Sequence, residues 1–398
     1  MDLAALTEQY HNELIENILP FWDRHAFDTL YPGVFEALDE TGAVISTDKP
    51  VATQAQAVWA FAFAHKQFGP HKEWLERAME TADFLVEKGR TPKGNWYQLL
   101  DRRGQPLEEA QDMEPGLYAV QALGQLFKAT GEKTYVELAQ KTLVQLLKKR
   151  DAQLNKQLQD TSRGRSFKSL RVFALIGHVL LDSESYMDRK WYKKTLDAYM
   201  QELMNDFYDK RTDILLENVT PEGHFWDCPE GRLLVPGRVF EVAGFMMDVA
   251  DRTRNRKLLN QMLDLLELTV QAAWDEAHGG FYYLMDVKSL PPLQVRWHHK
   301  LAWVHLEAMQ ALLKGHLLSA RPVFLDMFEK TNAYVWKHFP DPVHGEWYGE
   351  LTRDGQPFLR HKITPEKGCY ALVRNLAAIA QLLQTVVRAG PRSASRPS

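Results

Sequence analysis

The chain has 398 residues, 45% of them apolar and 25% charged, with a formal net charge of −4. That balance suits a globular protein with a large core and excludes a basic stripe for nucleic acid or an anionic membrane surface. No run approaches the ~18 uninterrupted apolar residues of a membrane span, the Met1-Asp2-Leu3 start lacks the basic and apolar regions of a signal peptide, and two cysteines, Cys228 and Cys369, fit a reduced cytoplasmic setting better than a disulfide scaffold.

Leu6, Tyr10, Leu14, Ile15 and Ile18 recur at helical spacing and predict an amphipathic helix over 4–26. Asp28 to Leu38, the turn Asp39-Glu40-Thr41-Gly42 and Ala43 to Ile45 read as a short β-hairpin. Helices over 52–68 and 71–88 follow. Gly94 to Leu100 and the turn Asp101-Arg102-Arg103-Gly104 then lead to helices over 116–129 and 133–148. The pattern continues with helices over 166–181 and 189–208, extended residues 214–219, and helices from Pro236 and over 258–274. Asp275 to Tyr283 and Asp341 to Tyr348 restate the Asp28 to Phe35 stretch, with helices over 297–313 and 323–338 between them and a last helix over 368–387. Residues 389–398 read as a disordered tail after a single domain over 1–388. Helix pairs separated by short hairpins exclude a parallel α/β sheet. Apolar residues on both helix faces, without polar capping repeats, favour a closed toroid over an open solenoid.

Three stretches carry polar residues where apolar helices begin. In Gly231 to Glu241, a glycine-rich loop ends at Pro236-Gly237, and Arg238 and Glu241 share a helix face three residues apart. A helix's first N–H groups have no intrahelical partner, so this end suits a polyhydroxylated or anionic ligand; a plain loop-to-helix junction with an ion pair is the other reading. Trp297 to Met309 is the densest polar segment on any predicted helix, with His299, Lys300, Trp303, His305 and Glu307; it reads as a general acid–base group or as a solvated face with Glu307 paired to a cation. Lys367 to Arg374 opens the last helix, where Arg374 suits a bidentate contact with a carboxylate or sugar hydroxyls, or equally a structural Arg–Glu pair across the toroid. His298, His299 and His305 lack the i,i+4 spacing of helical zinc sites, and neither cysteine has a close partner, so no metal is expected. No GxSxG, P-loop or GxGxxG occurs, so no cofactor is expected either.

Four blocks, Leu234 to Glu241, Lys300 to Ala308, Asp341 to Gly349 and Lys367 to Arg374, make almost the whole chain resemble the N-acylglucosamine 2-epimerase family, which includes cellobiose 2-epimerases and aldose–ketose isomerases. The resemblance implies an all-α (α/α)6 barrel with short β-hairpins between helix pairs, a small-molecule sugar in its central cavity and homodimers through outer helices. It also implies proton removal beside the open-chain carbonyl. Glu241, Lys300, Trp303, His305, Glu307, Trp347 and Arg374 match the family, and Trp59 falls in its early Val-Trp pair. Three positions depart. Arg238 and Ala371 stand where the family carries its two proton-transferring histidines, and Gln56 stands where it carries an arginine.

Arginine cannot act as a base at neutral pH, and alanine transfers no proton. Three readings follow. In the first, a divergent epimerase or isomerase uses His305 and Glu307, with Glu241, His299 or His361 as alternates, and Arg238 and Arg374 as oxyanion partners. Arg374, Trp303, Lys300, Trp347, Gln56 and Trp59 then bind substrate. In the second, a relative with lost bases binds carbohydrate without turnover. In the third, Glu241 and Glu307 cleave a glycoside.

Overall fold

The computed structural model describes residues 2–110, 112–159 and 166–389. Among them helices run over Leu3–Asn12 (α1), Leu19–His25 (α2), Val51–Phe68 (α3), Lys72–Lys88 (α4), Glu114–Thr130 (α5), Lys133–Gln159 (α6), Leu170–Ser183 (α7), Arg189–Glu202 (α8), Pro236–Arg252 (α9), Arg256–Ala273 (α10), Ala302–Ser319 (α11), Pro322–His338 (α12) and Cys369–Ala389 (α13). Short strands are Ala37–Leu38 (β1), Val44–Ser46 (β2), Lys49–Pro50 (β3), Tyr97–Leu100 (β4), Pro106–Glu109 (β5), Lys168–Ser169 (β6), Tyr208–Asp209 (β7), Ile214–Leu215 (β8), Asn218–Val219 (β9), Leu233–Leu234 (β10), Met285–Asp286 (β11), Lys300–Leu301 (β12), Glu350–Leu351 (β13) and Pro357–Leu359 (β14). The last helix takes in Ala389, and the rest of the expected tail, 390–398, lies outside the described residues.

The chain forms two compact units. One takes the described residues of 1–18, 235–359 and 372–398, the other those of 19–234 and 360–371. In the first, α9 packs along α10 and α11, and α11 along α12; in the second, α5 packs along α3, α6 and α7, and α3 along α4. Of these, α3, α9 and α11 are buried on most sides, and each packs on an amphipathic helix, α4, α10 and α12 in turn. Thus α11 buries Ala302, Gly315 and every residue from Val304 to Leu313. Its neighbour α12 buries Phe324, Phe328, Thr331, Tyr334 and Val335, a stripe at helical spacing. Full burial of Phe324 and Phe328 contributes about 1.5–3 kcal/mol each.

Several boundaries differ from the sequence reading for identifiable reasons. The helix expected from Trp297 begins only at Ala302, because Lys300 and Leu301 pair as a strand with Leu351 and Glu350. The helix expected from Ser166 begins at Leu170: Lys168 and Ser169 pair with Val219 and Asn218, and the Ser169 hydroxyl caps by accepting from the Arg171 N–H at 3.2 Å. The first helix carries a π-turn at Glu13–Ile18, and the one expected over 189–208 passes into a π-turn at Leu203–Phe207. The hairpins β1–β2 and β4–β5 are present, and the Asp275 and Asp341 copies each close through a single bridge, Trp274 to Phe281 and Pro340 to Trp347, as the Asp28 stretch does through Phe27 to Val34.

An internal repeat links the hairpins to charge. In one unit β3, β4 and β5 form a sheet aligning Lys49 with Leu100; in the other β12, β13 and β14 align Lys300 with Leu351. Each lysine is fully buried and reaches an aspartate that also takes an arginine from the strand-joining turn. Lys49 and Arg102 lie 3.6 and 2.7 Å from Asp28, and Lys300 and Arg353 lie 3.1 and 2.8 Å from Asp275. Both turns read Arg-x-Gly-Gln-Pro. Burial opposes ionisation of both carboxyls, but the arginine and lysine bonds outweigh it; Asp28 is held down to about 2 and Asp275 lower still. Burial brings each lysine down to about 8 against its aspartate's pull. These charges anchor the loops that deliver the chain into α3 and α11.

Candidate active site

In one unit the first turn of α9 meets that of α11, and α11 meets the part of α13 that begins at Leu372. Val235 and Leu301, the residues that cap α9 and α11, offer no side-chain bond to the first N–H groups. Gly237 admits the indole of Trp303: a Cβ there would lie 2.6 Å from Trp303 Cζ3 and 2.8 Å from Val304 Cγ2. One residue on, Arg238 bonds Glu241 on its own helix, as the i,i+3 spacing predicts, and its guanidinium carbon sits 5.3 Å from the Trp303 ring centroid. Trp303 therefore ties the α9 pair to α11.

One turn beyond Trp303 stands Glu307, whose side chain is 7% exposed. Its Oε1 accepts from Arg374 Nη2 and, at 3.0 Å, from Asn375 Nδ2, both on α13. Asn375 is held in turn by Gln310, one turn further along α11. Glu307 Oε2 bonds to no described residue. A carboxylate fixed by one oxygen with the other uncommitted is a positioned proton acceptor.

Other expected site residues lie elsewhere. His305 is fully buried, with Nδ1 2.8 Å from the Leu301 carbonyl and Nε2 accepting the Phe281 N–H at 2.9 Å. Burial holds its pKa down to about 3, so it is a neutral core residue with both nitrogens committed. Lys300 belongs to the Asp275 and Arg353 cluster. Trp347 is fully buried and its indole N–H donates to Glu13 at 2.6 Å. The structure does not bring these three to Glu307. His361 is exposed.

In the other unit Trp59 stacks on Phe63 at 4.8 Å and meets Tyr370 edge-on at 4.8 Å. The Tyr370 hydroxyl accepts from Gln121 Nε2 at 3.1 Å, which also donates to Asp182 at 3.0 Å. Gln56 packs against Gly368 so closely that a Cβ there would lie 2.4 Å from its Oε1. Ala371 is half-buried. The sequence reading missed Asn375, Gln310, Gln121 and Tyr370. A signal existed for the first: Arg374-Asn375 interrupts the apolar residues that open α13. That helix is long and apolar enough to cross a membrane, yet half of it is buried in the fold and its Arg374 and Asn375 hold Glu307. Among the described residues no group of three His, Cys, Asp or Glu side chains is arranged to hold a metal ion.

Residues 33–373 match the N-acylglucosamine 2-epimerase (GlcNAc 2-epimerase) family, and the chain belongs to that family. It is 28% identical over 387 residues to the N-acylglucosamine 2-epimerase of Rattus norvegicus, covering 95% of this chain and 92% of that protein. The cellobiose 2-epimerase of Bacillus thermoamylovorans B4167 shares the fold with a TM-score of 0.80 at 17% identity, covering 96% of this chain and all of that one. A D-mannose isomerase does so with a TM-score of 0.78 at 16% identity, over 96% and 98% of the two chains.

Proposed function

We propose that the chain is a sugar 2-epimerase or aldose–ketose isomerase, acting on N-acylglucosamine, N-acylmannosamine or a related monosaccharide by proton abstraction beside the open-chain carbonyl. We take its helix pairs to close into the family's (α/α)6 barrel as one domain over 1–388, in a cytoplasmic and dimeric protein; the likeness to the cellobiose 2-epimerase over 96% of the chain supports the barrel. The observation that carries the chemistry is Glu307, with Oε1 held by Arg374 and Asn375 and Oε2 uncommitted.

In this reading Glu307 Oε2 takes the proton from carbon 2, and the electron pair left behind forms an enediolate across carbons 1 and 2. Arg238, a fixed cation, balances the charge on its oxygens. Glu241, once protonated from solvent, returns a proton to carbon 2 on the opposite face to give the 2-epimer; a proton returned to carbon 1 instead, with the O2 proton passing to O1, gives the aldose–ketose isomer. Trp303 supplies an aromatic wall, Gln56 is a substrate contact in place of the arginine the family carries, and Trp59 is another. His305, Lys300 and Trp347 act through the fold.

The test is solvent isotope uptake. The protein in D₂O with N-acetylmannosamine, N-acetylglucosamine, mannose, glucose, fructose or cellobiose is expected to label at least one sugar at carbon 1 or 2 and to form its isomer. Sugar binding without label from any of them would overturn the proposal in favour of a binding-only protein, a reading that the epimerases and isomerase named above do not support.

A further inference from the structure

Beside the β12–β13–β14 sheet a histidine is held by a carboxylate. Its register sets Lys300 opposite Leu351 on the buried face, where neither has exposed surface, and Leu301 opposite Glu350. Alternation along the strand places His299 with Glu350 on the other face. There His299 Nδ1 lies 2.6 Å from Glu350 Oε1, and Arg296 Nη1 donates to Glu350 Oε2 at 2.8 Å. Phe358, 43% exposed on β14, meets the imidazole edge-on at 4.6 Å, and the His298 ring adjoins it at 5.2 Å. His299 Nε2 bonds to no described residue. A carboxylate that fixes one imidazole nitrogen and leaves the other open is an acid–base dyad.

The internal repeat separates scaffold from addition. The β3–β4–β5 sheet keeps the lysine, aspartate, leucine and arginine of its counterpart, Lys49, Asp28, Leu100 and Arg102. At the positions of His299 and Glu350 it has Asp48 and Leu99, which form no such dyad. Folding of the sheet therefore does not require the dyad. His299 precedes Trp303 by four residues, so their Cα atoms lie within about 14 Å, and Phe358 beside it offers a face for a sugar ring.

We propose that His299, held by Glu350, is a general acid–base that opens the hemiacetal ring of an aldose, so that the chain interconverts the sugar's anomers. His299 Nε2 takes the proton from O1, and C1=O1 forms as the C1–O5 bond breaks with its electron pair going to O5. The imidazolium then gives that proton to O5. Reclosure on either carbonyl face yields either anomer, and nothing is consumed. Glu350, a positioning residue, offsets the transient imidazolium charge. The substrate class rests on the sugar reading above, but anomer exchange needs no chemistry at carbon 2.

Exchange spectroscopy of mannose and N-acetylmannosamine reads anomer interconversion directly, and deuterium at carbon 2 is followed in parallel. The wild type is expected to accelerate anomer exchange well beyond buffer. His299→Gln is expected to lower that rate about 10²-fold or more at saturating sugar with KM nearly unchanged, and free imidazole is expected to restore part of it in His299→Ala. Glu350→Gln should lower kcat more than KM, without imidazole rescue. No acceleration by the wild type, or full acceleration by a folded His299→Gln, overturns the inference. Anomer exchange lost with His299, in a wild type that labels no carbon 2, sustains it while the epimerase reading falls; label without accelerated anomer exchange does the reverse.

Discussion

Glu307→Gln keeps the shape of the side chain and removes its capacity to take a proton. The amide oxygen can still accept from Arg374 and Asn375, which places the amide nitrogen where Oε2 now stands. A donor there cannot abstract a proton, so the whole general-base contribution is at stake, about 10²–10⁴-fold. That is about 3–5 kcal/mol in the barrier. The folding cost is smaller. Arg374 is 17% exposed and exchanges a charged acceptor for a neutral one, a loss of about 1–2 kcal/mol. The assay is the rate of deuterium entry at carbon 2 by mass spectrometry, with urea unfolding of the same sample. A folded variant that labels sugar within threefold of the wild-type rate would refute the assignment of Glu307 as base.

Three further outcomes are expected. His305→Gln strands the Phe281 N–H or forces it to a new acceptor, so it should cost about 1–3 kcal/mol in urea unfolding while the labelling rate stays close to wild type; lost labelling at unchanged stability would return His305 to the chemistry. Gly237→Ala drives a methyl against Trp303 and Val304, destabilising by about 1–3 kcal/mol and displacing the indole, which should appear as a raised KM; an unchanged KM would show that Trp303 does not contact sugar. Asp28, with its carboxyl lowered from 3.8 to about 2, contributes stability that is fully present above pH 3.8 and is lost as pH falls through about 2, an effect of about 2 kcal/mol. Arg102→Ala removes the strongest of the bonds that depress it, so acid unfolding followed by circular dichroism should move to higher pH, and an unmoved transition would contradict the assignment.

The helix-pair order and the Arg238–Glu241 pair were legible in the sequence because both are local. A 3.6-residue period and an i,i+3 spacing depend only on the backbone between them. Family membership was legible for the related reason that its four blocks keep their order and spacing. What Glu307 and His305 each do was not. Two residues apart on one helix, they point in different directions: Glu307 meets Arg374 and Asn375, 67 and 68 residues away, and His305 is consumed by the Phe281 N–H. Lys300 looked like part of a polar helix face until pairing with Leu351 made it a strand residue and drew its ammonium to Asp275. Local periodicity and the order of the blocks fix most helices and the family. Which polar groups stay available depends on the fold, because burying a charge or an N–H obliges it to find a partner, and that partner is chosen by packing between segments far apart in the chain.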